Sequence, residues 1–135
     1  MRKFGVSHPI PTKFANRIYD ENKRVFIGKS FRKKAHEGDK FVIYESQGAK
    51  AYTGWGDIKF IGLMKVEDII PRYKNKLMLT EKELKEYAGR RYQLTVIEFN
   101  NFEKFNKHVF PDRFVIMGGK YIKEDEYTMI EKNKD

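Results

Sequence analysis

The sequence predicts an α+β domain: a mostly antiparallel sheet, curled into a small barrel and flanked by about three helices. Three observations lead there. Strand-like segments follow one another with few helices between them, which favours antiparallel pairing over alternating βαβ units. The strands are short and apolar, as in small barrels. Apolar residues make up 40% of the 135 positions and aromatics 15%, enough for one sizeable core without staples. Residues 1–135 are therefore read as one domain.

Val6-Ser7-His8-Pro9-Ile10-Pro11 starts extended, because each proline disfavours helix in the residue before it. Thr12 suits a helix N-cap, and Phe14, Ala15, Ile18 and Tyr19 recur at helical spacing to about residue 22. A short strand, Arg24 to Ile27, exits at Gly28 into a basic loop. Gly38-Asp39 introduces a second strand, Lys40 to Glu45, apolar on both faces. Ser46-Gln47-Gly48 is a turn. Ala49 to Trp55 is a strand broken by Gly54 and Gly56, and Ile58 to Val66 is the next. Glu67 to Tyr73 is a turn or short helix. At Thr80 a capping box with Glu83, and a staple from Leu79 to Leu84, start a helix that Gly89 ends. Tyr92 to Phe99 is a strong strand, and Asn100 to Pro111 is irregular. Phe114 to Met117 is a short strand turned by Gly118-Gly119. Lys123 to Glu131 is an acidic closing helix.

Gly28-Lys29-Ser30 matches the end of a nucleotide-hydrolase phosphate loop. That loop needs an earlier glycine where this chain has Lys23, and flexible residues where it has Val25, Phe26 and Ile27. The reading fails, and the question becomes what the basic loop touches. The net charge is +9, and residues 1–40 hold eleven Lys/Arg against four Asp/Glu. Such a half favours a polyanionic partner by counterion release, although Lys- and Glu-rich, cysteine-free composition is also a mark of thermophiles. The absence of cysteine excludes a disulfide framework and thiolate metal sites. His8, His36 and His108 share no metal-ligand spacing, and no cofactor motif is present. No apolar run approaches the ~18 residues of a membrane span, so the expectation is a soluble, cytoplasmic protein, monomeric by default, without a membrane partner.

Lys29, Arg32, Lys33, Lys34 and His36 form the densest basic cluster, read together with Ser30 as a phosphate-contacting loop. Arg90-Arg91 would extend it. Tyr44, Tyr52 and Trp55, near the Gly54 and Gly56 break, would stack a base or fill the core, and Glu45 ends a central strand where clefts often open.

Residues 12–66 resemble the PUA superfamily, and within it ASCH-type domains. The resemblance lies in the Phe14–Tyr19 helix, the polar turn Glu21-Asn22-Lys23, the Arg24–Ile27 strand, Gly38-Asp39 before Phe41-Val42-Ile43-Tyr44-Glu45-Ser46, and Gly54–Phe60. The Leu79–Tyr87 helix and the Val96-Ile97-Glu98-Phe99 strand are also similar. Through Val6-Ser7-His8-Pro9 and Gly119-Lys120-Tyr121-Ile122 the whole chain resembles an archaeal family of unknown function in that superfamily. The resemblance implies a pseudo-barrel whose cleft, beside the first helix and strand, takes RNA or a modified nucleoside, with Lys23 as the cleft lysine. Some ASCH relatives deacetylate an acetylated cytidine with a Lys, a Thr and a Glu. Aligned on Lys23, this chain has Phe26 where they carry the Thr, and a phenyl ring attacks no amide. The first expectation is therefore an RNA-binding module, with phosphates on the Lys29–Lys34 loop and Arg90-Arg91, and a base among Lys23, Tyr44, Glu45 and Trp55. The second is a small amidohydrolase or ribonuclease, with Lys23 as base, Glu45 or Glu98 as acid/base partner and Ser30 as nucleophile. A protein-interaction or structural role is the third.

Overall fold

The computed structural model describes residues 2–135. In chain order it contains β1 (Gly5–Ile10), α1 (Thr12–Asp20), β2 (Val25–Gly28), β3 (Lys40–Glu45), β4 (Ala51–Lys65), α2 (Val66–Tyr73), α3 (Glu81–Ala88), β5 (Gln93–Val109), β6 (Lys120–Ile122) and α4 (Glu124–Asn133). The six strands form one sheet in the order β2-β5-β4-β3-β1-β6. As expected, the sheet is mostly antiparallel and mixed: β1 runs parallel to β3, with Gly5 opposite Lys40 and Ile10 opposite Glu45, and the other pairings are antiparallel. The expected barrel needs correction, because the sheet is not closed: β2 and β6 remain edges. Four helices flank it rather than about three.

Side chains, not hydrogen bonds, fill the seam between the two ends of the curled sheet. The His8 ring of β1 stacks on Phe26 of β2 at 4.8 Å, and Phe26 lies 5.2 Å from Phe41 of β3. Gly54 and Gly56 permit the curl. A Cβ on Gly54 would lie 2.7 Å from the Phe102 ring and 2.8 Å from the Glu103 carbonyl oxygen; one on Gly56 would lie 2.9 Å from Phe99. The glycines let β5 fold closely over β4, where the pairing shifts register between Tyr52 and Gly54 and between Trp55 and Asp57.

The sheet is covered on both faces. Strand alternation sends Phe41 and Ile43 into one cluster with Val6, Ala15, Ile18, Ile97 and Phe99 beneath α1. Val42 and Tyr44 go to the other side, with Tyr52, Trp55, Phe105, Tyr127 and Ile130 under α4. A third cluster joins Val25, Ile27 and Val96 to Ile69, Tyr73, Leu77 and Leu84 of the α2–α3 segment. The capping box forms as predicted: Glu83 N donates to Thr80 Oγ1 and Thr80 N to Glu83 Oε1, both at 3.0 Å, and Gly89 closes α3 at φ 58°. Thr12 does not cap α1. It occupies the first helical position, and its hydroxyl donates to Glu45 Oε1 at 3.3 Å. The strand expected at Phe114–Met117 forms later, at Lys120–Ile122. Among the described residues no helix is long and apolar enough to cross a membrane.

Candidate nucleic-acid interface

The basic loop is held by its own ends. Ala35 is buried in the core under α1. Asp39 Oδ2 accepts from His36 N at 2.7 Å and from Arg2 Nη2 at 2.6 Å, while Arg2 Nε donates to Asp39 Oδ1. Between these anchors and Gly28 the chain bulges outward, leaving Lys29, Lys33 and Lys34 exposed. Lys29 Nζ sits 4.6 Å over the ring of Tyr87 on α3. Arg91, three residues past Ala88, is close enough to Tyr87 to act on its hydroxyl, whose pKa burial raises and Arg91 lowers. The fold thus brings together the two basic stretches that lie some 60 residues apart in the chain, with Tyr87 between them. Phe31, Tyr87 and Tyr92 are 38%, 41% and 62% exposed on these same segments.

Arg32 points elsewhere. Its Nε donates to the Gly118 carbonyl at 3.0 Å and its Nη2 to the Gly119 carbonyl, and its guanidinium lies 5.5 Å from the Tyr121 ring. Ser30 Oγ lies 3.4 Å from where a Cβ on Gly118 would stand. Gly119 is obligatory: its φ is +75°, and a Cβ would come within 2.5 Å of the Ser7 carbonyl oxygen and 2.7 Å of His8 Nδ1. The basic loop and the turn before β6 are therefore one joined structure.

None of the cations Lys29, Arg32, Lys33, Lys34, Arg90 and Arg91 pairs with a carboxylate among the described residues. Eleven other Lys and Arg residues do, Arg17 and Lys40 among them. Other Lys and Arg residues, Lys74 and Lys107 among them, are also unpaired; what sets these six apart is that they lie on two segments that the fold brings together.

The remaining sequence-predicted residues are dispersed. Lys23 is 3% exposed, and its ammonium donates to the Leu77 carbonyl at 2.5 Å; burial, with Arg17 adding repulsion, lowers its pKa to about 7. Trp55 is 4% exposed, packed against Phe105 at 5.5 Å and Tyr127 at 5.0 Å, with Nε1 donating to Glu103. Its ring has no free face for a base, because α4 covers it. Glu45 accepts from Thr12 and from the Tyr19 hydroxyl, at 3.0 Å, which also bonds Thr53. Tyr44 is 2% exposed and forms the back of a recess whose other walls are residues 110–116. Glu98 holds Lys76 at 3.1 Å and Lys59 at 3.7 Å. Lys23, Glu45 and Ser30 each have different neighbours and share no hydrogen bond with one another among the described residues. Among the described residues no group of three His, Asp or Glu could hold a metal ion.

Sequence reading did not single out Tyr87 and Tyr92, the exposed rings beside the two basic stretches. The signal was there, two tyrosines flanking Arg90-Arg91, but helical spacing does not say which face of α3 meets the loop.

A family model described as "Domain of unknown function (DUF365)" matches residues 3–124. An uncharacterised protein of Methanocaldococcus jannaschii is 33% identical over 105 residues, 69% of this chain and 97% of that protein. The ASCH protein of Zymomonas mobilis superposes with a TM-score of 0.84 at 13% identity, over 95% of this chain and 94% of that one. The N-terminal domain of Staphylothermus marinus McrB superposes with a TM-score of 0.57 at 11% identity, over 96% and 93%. At such identities the likeness concerns the fold alone, which is that of the Zymomonas ASCH protein.

Proposed function

The chain belongs to the family described as Domain of unknown function (DUF365), and from that premise we propose that it is a nucleic-acid-binding module of the PUA-like type. RNA is the expected ligand. Phosphates lie along Lys29, Lys33 and Lys34 and reach Arg90 and Arg91 across Tyr87. Lys and Arg at such a surface fix the backbone without reading sequence, while Phe31, Tyr87 and Tyr92 offer rings to bases. Arg32 spends its donors on the Gly118 and Gly119 carbonyls and serves to position the loop. Lys23 and Trp55 contribute through the core.

The observation that carries this reading is the set of six cations without a carboxylate partner on a protein that pairs eleven others. Like charges held together without counterions repel, and a polyanion relieves that repulsion while releasing its own bound ions. A titration of RNA binding against salt tests it. Affinity should be measurable at low salt and fall steadily as salt rises. Undetectable binding at low salt, or affinity indifferent to salt, ends the proposal.

A further inference from the structure

Beyond the phosphate-bearing loop lies a recess with a different chemistry. After β5 ends at Val109 the chain arches over the C-terminal end of β3. Phe110, Phe114 and Ile116 stand 64%, 75% and 68% exposed around a hollow of about 630 Å³ backed by Tyr44. That volume suits a small planar ligand. Three large apolar side chains left bare around one hollow are a liability in water unless something covers them. The charges narrow the occupant. Lys50 and Arg113 line the recess and neither pairs with a carboxylate, while Asp112 is its single acid. An aromatic hollow with a net cationic lining fits a flat ring that carries an anion beside it. A purely apolar peptide would leave both cations unanswered.

Continuity with the basic loop makes the same choice. The arch that bears Phe114 and Ile116 runs directly into Gly118-Gly119, the two carbonyls that Arg32 holds. A strand whose phosphates follow Lys29 to Lys34 is thereby led to the mouth of the recess. We propose that the recess takes one unstacked base of a single-stranded nucleic acid, with an adjoining phosphate at Lys50 or Arg113, and that the protein prefers single strands to duplexes. A duplex would have to break a pair and two stacks to place a base there, at a cost of a few kcal/mol. This proposal rests on the nucleic-acid reading above and adds the class of strand and the second contact.

The test uses the full chain and short RNAs carrying 2-aminopurine at one position, as single strands and as duplexes of the same sequence. The single strand should bind more tightly than the duplex, and 2-aminopurine fluorescence should rise on binding as the base leaves its stack. Phe114→Ala and Phe110→Ala alter exposed side chains and leave the fold intact by circular dichroism. Each should abolish the fluorescence rise and weaken single-strand binding by about 5- to 140-fold, the equivalent of a stacking contact, while leaving the duplex unaffected. Equal affinity for single strand and duplex, or variants that bind and fluoresce as wild type, overturns the recess proposal. If it falls while Lys33→Ala still weakens binding, the phosphate reading stands; if no RNA binds at all, both fall. An acidic, aromatic peptide that binds wild type, is lost in Phe114→Ala and leaves RNA affinity unchanged would assign the recess to a protein partner and overturn it as well.

Discussion

Replacing Lys29, Lys33 and Lys34 together by alanine removes three of the five exposed, unpaired cations on the proposed phosphate track, the others being Arg90 and Arg91. None of the three ammonium groups hydrogen-bonds within the protein. What the fold loses is the Lys29–Tyr87 contact and the longer one between Lys34 and Tyr121, at 4.6 and 5.8 Å, worth about 1–2 kcal/mol together at exposed sites. The loop keeps its anchors at Ala35 and Asp39, so the variant should fold. Each phosphate neutralised on a single strand adds about −0.7 to the slope of log affinity against log salt. Five contacts give a slope of about −3.5, and the variant retains about −1.4. Between about 50 and about 200 mM salt, wild type should therefore lose affinity about 130-fold and the variant about 7-fold. Fluorescence anisotropy with a labelled single-stranded RNA, at four or five salt concentrations, reads both slopes. A variant slope equal to the wild-type slope would refute the reasoning, since it would show that those lysines meet no phosphate.

Trp55→Ala should lower stability by about 3–5 kcal/mol in urea denaturation, because it empties a packed site under α4. Trp55→Phe, which keeps a ring there, should bind RNA as wild type does, and the wild-type tryptophan emission should not change when RNA saturates the protein. His8 is buried neutral: burial, with Arg32 nearby, lowers its pKa to about 4 from the ordinary 6.5. The unfolded chain binds the extra proton between those values, so stability is full above pH 6.5 and falls as pH drops toward 4, by at most about 3 kcal/mol. His8→Phe should flatten that part of the profile, and a variant with the wild-type slope would contradict the assignment. Lys23, with a pKa of about 7 against the ordinary 10.5, is the same case at higher pH. The unfolded state holds more protons between 7 and 10.5, so stability gains a rising component there, which denaturation of Lys23→Met should lack.

The local signals were legible and the closures were not. Thr80, Glu83 and Gly89 mark α3 because a capping box and a positive-φ stop are decided within a few residues. The charge cluster after Gly28 was equally plain. The segment of β1 read as extended, but Pro9, which cannot donate to a neighbour, obscured its pairing within the sheet. The proline is tolerated because β6 pairs only with Gly5 to Ser7, so at Pro9 the β6 side of β1 has no strand to donate to. The second half of β5 looked irregular because Phe102, Phe105 and Val109 turn inward every three or four residues instead of every two. Bulges and the positive φ of Asn101 break the alternation. Barrel closure depends on whether β2 meets β1 and β6, a pairing between segments with no local signature; here His8 and Phe26 fill that gap with rings. Trp55 beside two glycines read equally as a ligand wall or as a core ring at a bulge. The glycines admit β5, and α4, the last element of the chain, covers the indole.

Amide chemical-shift mapping during titration with a single-stranded RNA reads, residue by residue, which face of the protein meets nucleic acid. Shifts should concentrate at residues 29–34, 87–92 and 110–119 while the acidic start of α4, Glu124 to Glu126, stays still. Shifts centred on α4 with the basic loop unmoved, or none at all at low salt, would contradict that placement.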